Sequence, residues 1–425
     1  MSFHRTALFT VARVGNRKGT VFSRKSPGIP VPFRRVATGF TLIELLVSMA
    51  VLSMIMLLLF GTISSSSTLW TRTTGKVQAF QAARAAFESM TRNLSQATLQ
   101  NYYGYADSEG NPVPLINPSF KLSSGSTARA KVPTKYLRAS ELHFVCGPAA
   151  SLLTQAGITG LDNTTSGDAV FFQAPIGFSD GSYQTQPSML NVCGYYVQFT
   201  KDDSASGGTG AIPDFASSLP ATYRYRLMEV IQPADKNGIY TSTDQDVDAD
   251  GLPTFSYDLN WVKKLDLANR TNRHVLGDNI ILLVLLPKLA PEDEKLYGGT
   301  GDGNLIAPHY TYDSRSWETG YSGAGITATA NKILLEKVIM NRLPPLVEVI
   351  MVAIDDRSAV RLIGTSSTPP ADLQKKLYGS GGTRFTDATK LKADLADLEN
   401  DMNSLGLNYR IFHTEVRLPG ASYGE

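Results

Sequence analysis

Cysteine is scarce in this sequence: Cys146 and Cys193 are the only two among 425 residues. Neither belongs to a CxxC pair. Two thiols with five scattered histidines make a poor zinc set, which argues against a zinc-built domain. In an exported domain the pair is placed to oxidise to a Cys146–Cys193 disulfide; otherwise the two are small buried apolar side chains. Acidic residues are missing altogether from residues 1–39, which carry Arg5, Arg13, Arg17, Lys18, Arg24, Lys25, Arg34 and Arg35. Setting those eight aside leaves 32 of the 40 basic residues against 38 acids. The rest of the chain is therefore mildly acidic and offers no electrostatic footing for nucleic acid. The glycines of Gly298-Gly299-Thr300-Gly301-Asp302-Gly303 are not followed by a P-loop lysine, so they read as a flexible loop and not as a phosphate cradle.

What is present begins at residues 40–60, FTLIELLVSMAVLSMIMLLLF, an apolar run with one ionisable side chain, Glu44. A helix of about 20 apolar residues crosses a bilayer core. No small-residue cleavage site follows Phe60, so the run is expected to stay in the mature chain as a single membrane span. Arg34 and Arg35 just before it predict a cytoplasmic N-terminus, with everything after Phe60 on the other side of the membrane. A carboxylate inside such a span is costly and marks a functional residue.

Thr38-Gly39-Phe40-Thr41-Leu42-Ile43-Glu44 resembles the class III signal of type IV prepilins and type II secretion pseudopilins. The resemblance implies that prepilin peptidase cuts after Gly39 and that the new terminal Phe40 is N-methylated. It also implies that Glu44 pairs with the terminal amine of a neighbouring subunit, which offsets the burial of both charges. A 39-residue leader is long for that family: either it is extended, or the true start lies downstream of Met1. Two shorter segments, Arg273-His274-Val275-Leu276-Gly277-Asp278-Asn279-Ile280 and Leu343-Pro344-Pro345-Leu346-Val347-Glu348-Val349-Ile350, resemble the lead into a central strand and the Leu-Pro-x-x-Val-Glu-Val element of minor pseudopilin J-like chains. The whole chain also resembles the large pilin-like proteins of the Verru_Chthon cassette protein C group.

The implied architecture is α+β. It has a basic leader (1–39), a transmembrane helix (40–60), an amphipathic helix (61–100) and a pilin-like globular domain (101–425). In that domain the long helix packs on an antiparallel sheet, with large insertions or an added subdomain. The residues agree in part. Gly61 and the hydroxyl-rich segment to Thr68 predict a bend or melted turn. Phe80, Ala83, Phe87, Met90, Leu94 and Ala97 then form one apolar stripe, with Arg84, Glu88 and Arg92 on another face. Strands are expected at 141–146, 169–173, 194–200, 222–231, 280–287, 346–354 and 408–418. The segments 222–230 and 408–418 alternate, whereas 280–286 is uniformly apolar. Leu391, Leu395, Leu398, Met402 and Leu405 predict a late helix, capped by Thr386 or Asp387 and stopped by Gly406. Residues 288–297 read as a solvated loop.

Two motifs invite chemistry. Asp246, Asp248 and Asp250, followed by Gly251 and preceded by Asp244, match the first half of a calcium loop, but Tyr257 stands where the closing Glu belongs. The alternative is a solvated acidic turn. Gly177-Phe178-Ser179-Asp180-Gly181 satisfies G-x-S-x-G, yet no helix signal follows and no His is evidently placed as its base. The function expected is structural and not enzymatic, with no cofactor unless the acidic loop binds calcium. The chain reads as a minor pilin-like subunit near the tip of a type II secretion pseudopilus or type IV pilus-like fibre. Its partners are other pilin-like subunits, prepilin peptidase and an inner-membrane assembly platform. The alternatives are an adhesive or ligand-binding minor pilin and a membrane-anchored exported enzyme.

Overall fold

In the computed structural model the described residues are 39–106, 134–158, 164–181, 186, 188–201, 222–237, 239, 246–247, 253–254, 260–265, 267, 273–315, 339–364, 366–379 and 381–421. A single helix, α1 (Leu42–Leu94), opens the chain. Residues 61–68 are helical, contrary to the bend expected there. The reason lies in the side chains. Thr62 Oγ1 donates to the Leu59 carbonyl at 2.9 Å and Thr71 Oγ1 to the Ser67 carbonyl at 2.8 Å. Hydroxyls bonded back onto the preceding turn are satisfied without opening the helix.

By contact the chain divides into Met1–Ser66 and Ser67–Glu425. The larger unit contains thirteen described strands. β1 (Tyr102–Ala106) and β2 (Lys135–Ala139) form a two-stranded ribbon, and β7 (Asp246–Val247) with β8 (Pro253–Thr254) forms another. The main sheet is built from β3 (Val145–Pro148), β4 (Thr165–Ala174), β5 (Asn191–Lys201), β6 (Tyr223–Gln232), β9 (His274–Asp278) and β11 (Tyr312–Asp313). Their order is β11-β3-β4-β5-β6-β9. A three-stranded sheet joins β10 (Ile280–Lys288), β12 (Leu346–Ile354) and β13 (Tyr409–Arg417), in that order. All pairings are antiparallel.

The six-stranded sheet is covered on both faces. One face sends Phe144, Val170, Phe172, Tyr195, Val197 and Leu227 into the core shared with α1. The other sends Val145, Phe171, Tyr196 and Met228 against α2 (Ala149–Gln155) and Trp261 and Val262 of α3 (Asn260–Lys263). This is why 222–230 alternates in sequence yet buries both sides in its middle: Arg226 lies inside, with its Nε 2.7 Å from Asp278 Oδ1. The predicted stripe of α1 is the buried one. Ala83, Phe87, Met90 and Leu94 enter the core, Phe87 packs on Phe412 of β13, and Asn93 Nδ2 donates to Tyr195 Oη at 2.8 Å. Ala86 passes so close to β9 that a Cβ at Gly277 would lie 3.0 Å from its methyl.

The segment around residues 273–280 does not lead into a central strand. Asn279, at φ +58°, turns the chain out of β9, and β10 forms an edge of the smaller sheet, where β12 is central. The outer edge of β10 is closed by side chains from β4. Ser166 Oγ donates to the Ile281 carbonyl at 2.7 Å, and Leu285 N donates to Asp168 Oδ2 at 2.7 Å. Buried backbone groups thus find partners where no strand continues the ladder.

Burial raises the Asp168 carboxyl to about 8. The folded state therefore holds a proton that the unfolded chain releases near pH 3.8. This contribution to stability is complete below that pH and is lost as pH rises through about 8. Buried His143 acts with the opposite sign, because burial lowers its pKa below the ordinary 6.5. Above pH 6.5 its contribution is constant. Between pH 6.5 and 8 the melting temperature is expected to fall, by about 1.4 kcal/mol of stability per pH unit from Asp168 alone. Asp168→Asn, whose amide oxygen still accepts from Leu285 N, is expected to flatten that slope in calorimetric melts.

The remaining helices are α4 (Pro291–Leu296), α5 (Asp356–Ile363), α6 (Ala371–Tyr378) and α7 (Leu391–Ser404). α4 replaces much of the solvated loop expected at 288–297. Its Glu294 is buried, and the carboxylate accepts from Gly303 N, tying down the glycine-rich turn. Asp387 caps the short 3-10 turn Ala388–Lys390, which leads into α7.

Candidate functional site

The segment that carries the strongest sequence signal is laid out simply. Gly39 and Phe40 precede the helix in non-helical backbone, Phe40 is 86% exposed, and nothing lies within 4 Å of where a Gly39 side chain would sit. A peptide bond outside regular structure and free of neighbours is one a peptidase can bind in extended form. Thr41 then caps the helix. Its Oγ1 accepts from Glu44 N at 3.4 Å, while Glu44 Oε2 accepts from Thr41 N and Thr41 Oγ1, each at 3.0 Å. This is a capping box, with Thr at the N-cap and Glu three residues on. Sequence reading missed it, although the T-x-x-E spacing stands in plain view.

The consequence for Glu44 is chemical. Both bonds to Thr41 use Oε2, and both use Thr41 atoms that a cut after Gly39 leaves in place. The mature chain therefore keeps a carboxylate fixed at the helix start, with Oε1 available to a second donor. On either side of it in α1, Leu42, Ile43, Leu46, Leu57, Leu58 and Phe60 are all exposed. A helix of such residues needs an apolar surrounding, since covering each is worth about 1.5–3 kcal/mol. α1 is long and apolar enough to cross a membrane.

The other candidate residues fall elsewhere. Asp246 lies in β7, opposite Thr254, while Asp244, Asp248 and Asp250 lie outside the described residues. Cys146 and Cys193 are both free and buried, which corrects the disulfide expectation. They sit on β3 and β5 with β4 between, Cys146 opposite Val170 and Cys193 opposite Phe172. Strands two steps apart in a sheet are separated by about 9.5 Å, beyond the Cα reach of a disulfide. Burial pushes both thiols above their ordinary range.

Ser179 lies in the loop after β4. Its hydroxyl accepts from Gly181 N at 3.3 Å and faces Asp235 Oδ1 at 3.5 Å. Fully buried His143 has both ring nitrogens engaged: Trp261 Nε1 donates to Nδ1 at 2.9 Å, so Nε2 carries the proton shared with Asp313 Oδ1 at 2.6 Å. That imidazole joins α3, β11 and the segment before β3; neither nitrogen is left to serve Ser179.

Residues 34–60 match the family described as the prokaryotic N-terminal methylation motif. No curated protein and no solved structure matches the chain. The matched residues are the ones that contain the cleavage site, the capping box and the apolar start of α1. They fit a membrane-anchored protein with a prepilin-like N-terminus, a motif that implies processing by prepilin peptidase and assembly with pilins, and α1 is the one helix among the described residues long and apolar enough to serve as that anchor.

Proposed function

We propose that this chain, type IV prepilin-like by its residues 34–60, is a minor subunit of a pseudopilus or pilus-like fibre and stands near its tip. The observation that carries the reading is the arrangement at the start of α1: an open Gly39–Phe40 bond, a capped helix and a Glu44 with one carboxylate oxygen free. Arg34 and Arg35 favour a cytoplasmic leader, with the larger unit on the far side of the membrane. Partner subunits meet it through the apolar start of α1, where a neighbour's terminal amine pairs with Glu44. Size favours a minor role. A domain running from the end of α1 to the C-terminus, with two sheets and six further described helices, is bulky to repeat along a tightly packed fibre. A secretion pseudopilus suits a role in export; the exposed Tyr102, Tyr103 and Tyr136 on the β1–β2 ribbon favour, as a second reading, a tip that holds a ligand. We assign the chain no catalytic step, and the 244–250 segment is its one calcium candidate.

The test is fibre composition. Fibres sheared from cells and separated from membranes are expected to contain the mature chain at well below one copy per major subunit, with antibody label at fibre ends. Label spread evenly along the fibre, or a chain confined to the membrane fraction, would contradict the minor tip role.

A further inference from the structure

The stretch without charge does not end at Phe60. After Glu44 no ionisable side chain occurs until Arg72, followed by Lys76. Within that stretch four hydroxyl side chains make few demands on their surroundings. Ser48, Ser53, Thr62 and Thr71 donate to backbone carbonyls three or four residues earlier, at 2.7–2.9 Å. Hydroxyls satisfied inside their own helix can lie in a poorly hydrated layer. At the end of the stretch stand Leu69, 62% exposed, and Trp70, 76% exposed.

From Glu44 to Trp70 a helix rises about 39 Å, which matches the ~40–45 Å of a bilayer counted with its headgroups. Tryptophan is enriched at that boundary, where its ring lies among apolar atoms and its N–H meets polar ones. We propose that the membrane-embedded part of α1 runs past Phe60 to Trp70. Residues 61–68 then lie in the headgroup layer, and the Trp70 indole lodges in the interface of the leaflet opposite Glu44. The occupant of this exposed surface is lipid, because it continues the apolar surface that already requires lipid. Glu44 then sits at the other interface, where its bonds to Thr41 and a neighbour's amine are both accessible. The inference rests on the membrane-anchored reading and extends it.

The full-length chain can be reconstituted in phosphatidylcholine–phosphatidylglycerol vesicles. Their acyl chains would carry bromine either near the headgroup end or near the terminal methyl. Trp70 is one of three tryptophans, and Trp261 is buried. Bromine near the headgroup end is expected to quench the Trp70 share of the emission, at most about a third if the three tryptophans emit equally, bromine at the chain end much less, and Trp70→Phe should abolish the difference. The same quenching in Trp70→Phe, a chain that floats with vesicles yet is quenched by neither lipid, or stronger quenching at the chain end would overturn the placement. Quenching that fades as protein density rises would also overturn it, in favour of a neighbouring subunit over the indole. Failure to float with the vesicles would remove the membrane anchor itself, and this inference with it.

Discussion

Glu44→Gln is expected to leave the chain processed and in the membrane, yet to lower its recovery in sheared fibres by roughly 100-fold or more. Breaking a desolvated charge pair costs about 3–5 kcal/mol, and 1.4 kcal/mol is tenfold in an association constant. The choice of Gln separates the capping role seen at Thr41 from the proposed pairing with a neighbour's amine. Gln at the third helical position completes a capping box as Glu does, so the bonds to Thr41 survive. The negative charge does not. If Glu44 served only as a cap, Glu44→Gln would assemble normally, and Thr41→Val would be the harmful change instead. Immunoblots of membrane and fibre fractions, with helicity checked by circular dichroism, distinguish the cases.

Gly167→Ala is expected to be among the most damaging single changes in the larger unit. Gly167 has φ +75°, and a Cβ there would lie 2.0 Å from the Leu283 carbonyl oxygen and 2.9 Å from Leu283 N. Both are backbone atoms of β10, so no side chain can swing aside. Gly167 N also donates to Tyr378 Oη at 2.6 Å, and that hydroxyl bonds Ser166 Oγ at 3.0 Å, which fastens α6 to the same crossing. Left-handed strain and overpacking together cost about 3–5 kcal/mol. A fall in melting temperature of roughly 5–10 °C follows for a domain of this size. Gly75→Ala is the control: nothing lies within 4 Å of that position, and the exchange favours helix. Equal melting of the two variants would show that β4 and β10 do not cross where described.

Much of the scaffold was legible from residue patterns. The strand expected at 346–354 is β12 with the same bounds, and the leucine repeat from Leu391 to Leu405 is α7. Uniformly apolar runs and long heptad-like repeats point to one structure each, because few alternatives bury them. The short elements were harder. α4 begins with Pro291 at its first turn, a usable signal, but its run of acids reads as solvent-facing until Glu294 is seen to accept from Gly303 N. α5 has a similar clue in Asp355, whose side chain caps Ser358 N at 2.9 Å.

Long-range facts left no local trace. Nothing near Asn279 says that the chain changes sheets there. Nothing near Cys146 or Cys193 says that β4 lies between them. At the candidate site the reverse holds. The motif around Gly39, Phe40 and Glu44 was legible because such a signal is short and contiguous, whereas the capping role of Thr41 was noticed only in the coordinates.

Entry into a fibre as proposed depends on a cut after Gly39 that frees a new terminus. Mass spectrometry of the N-terminal peptide, taken from the chain in native membranes, tests it most directly. The expected peptide begins at Phe40 and carries one methyl group on its amine. A peptide that retains residues before Phe40, or that begins elsewhere without a methyl group, would contradict that cut.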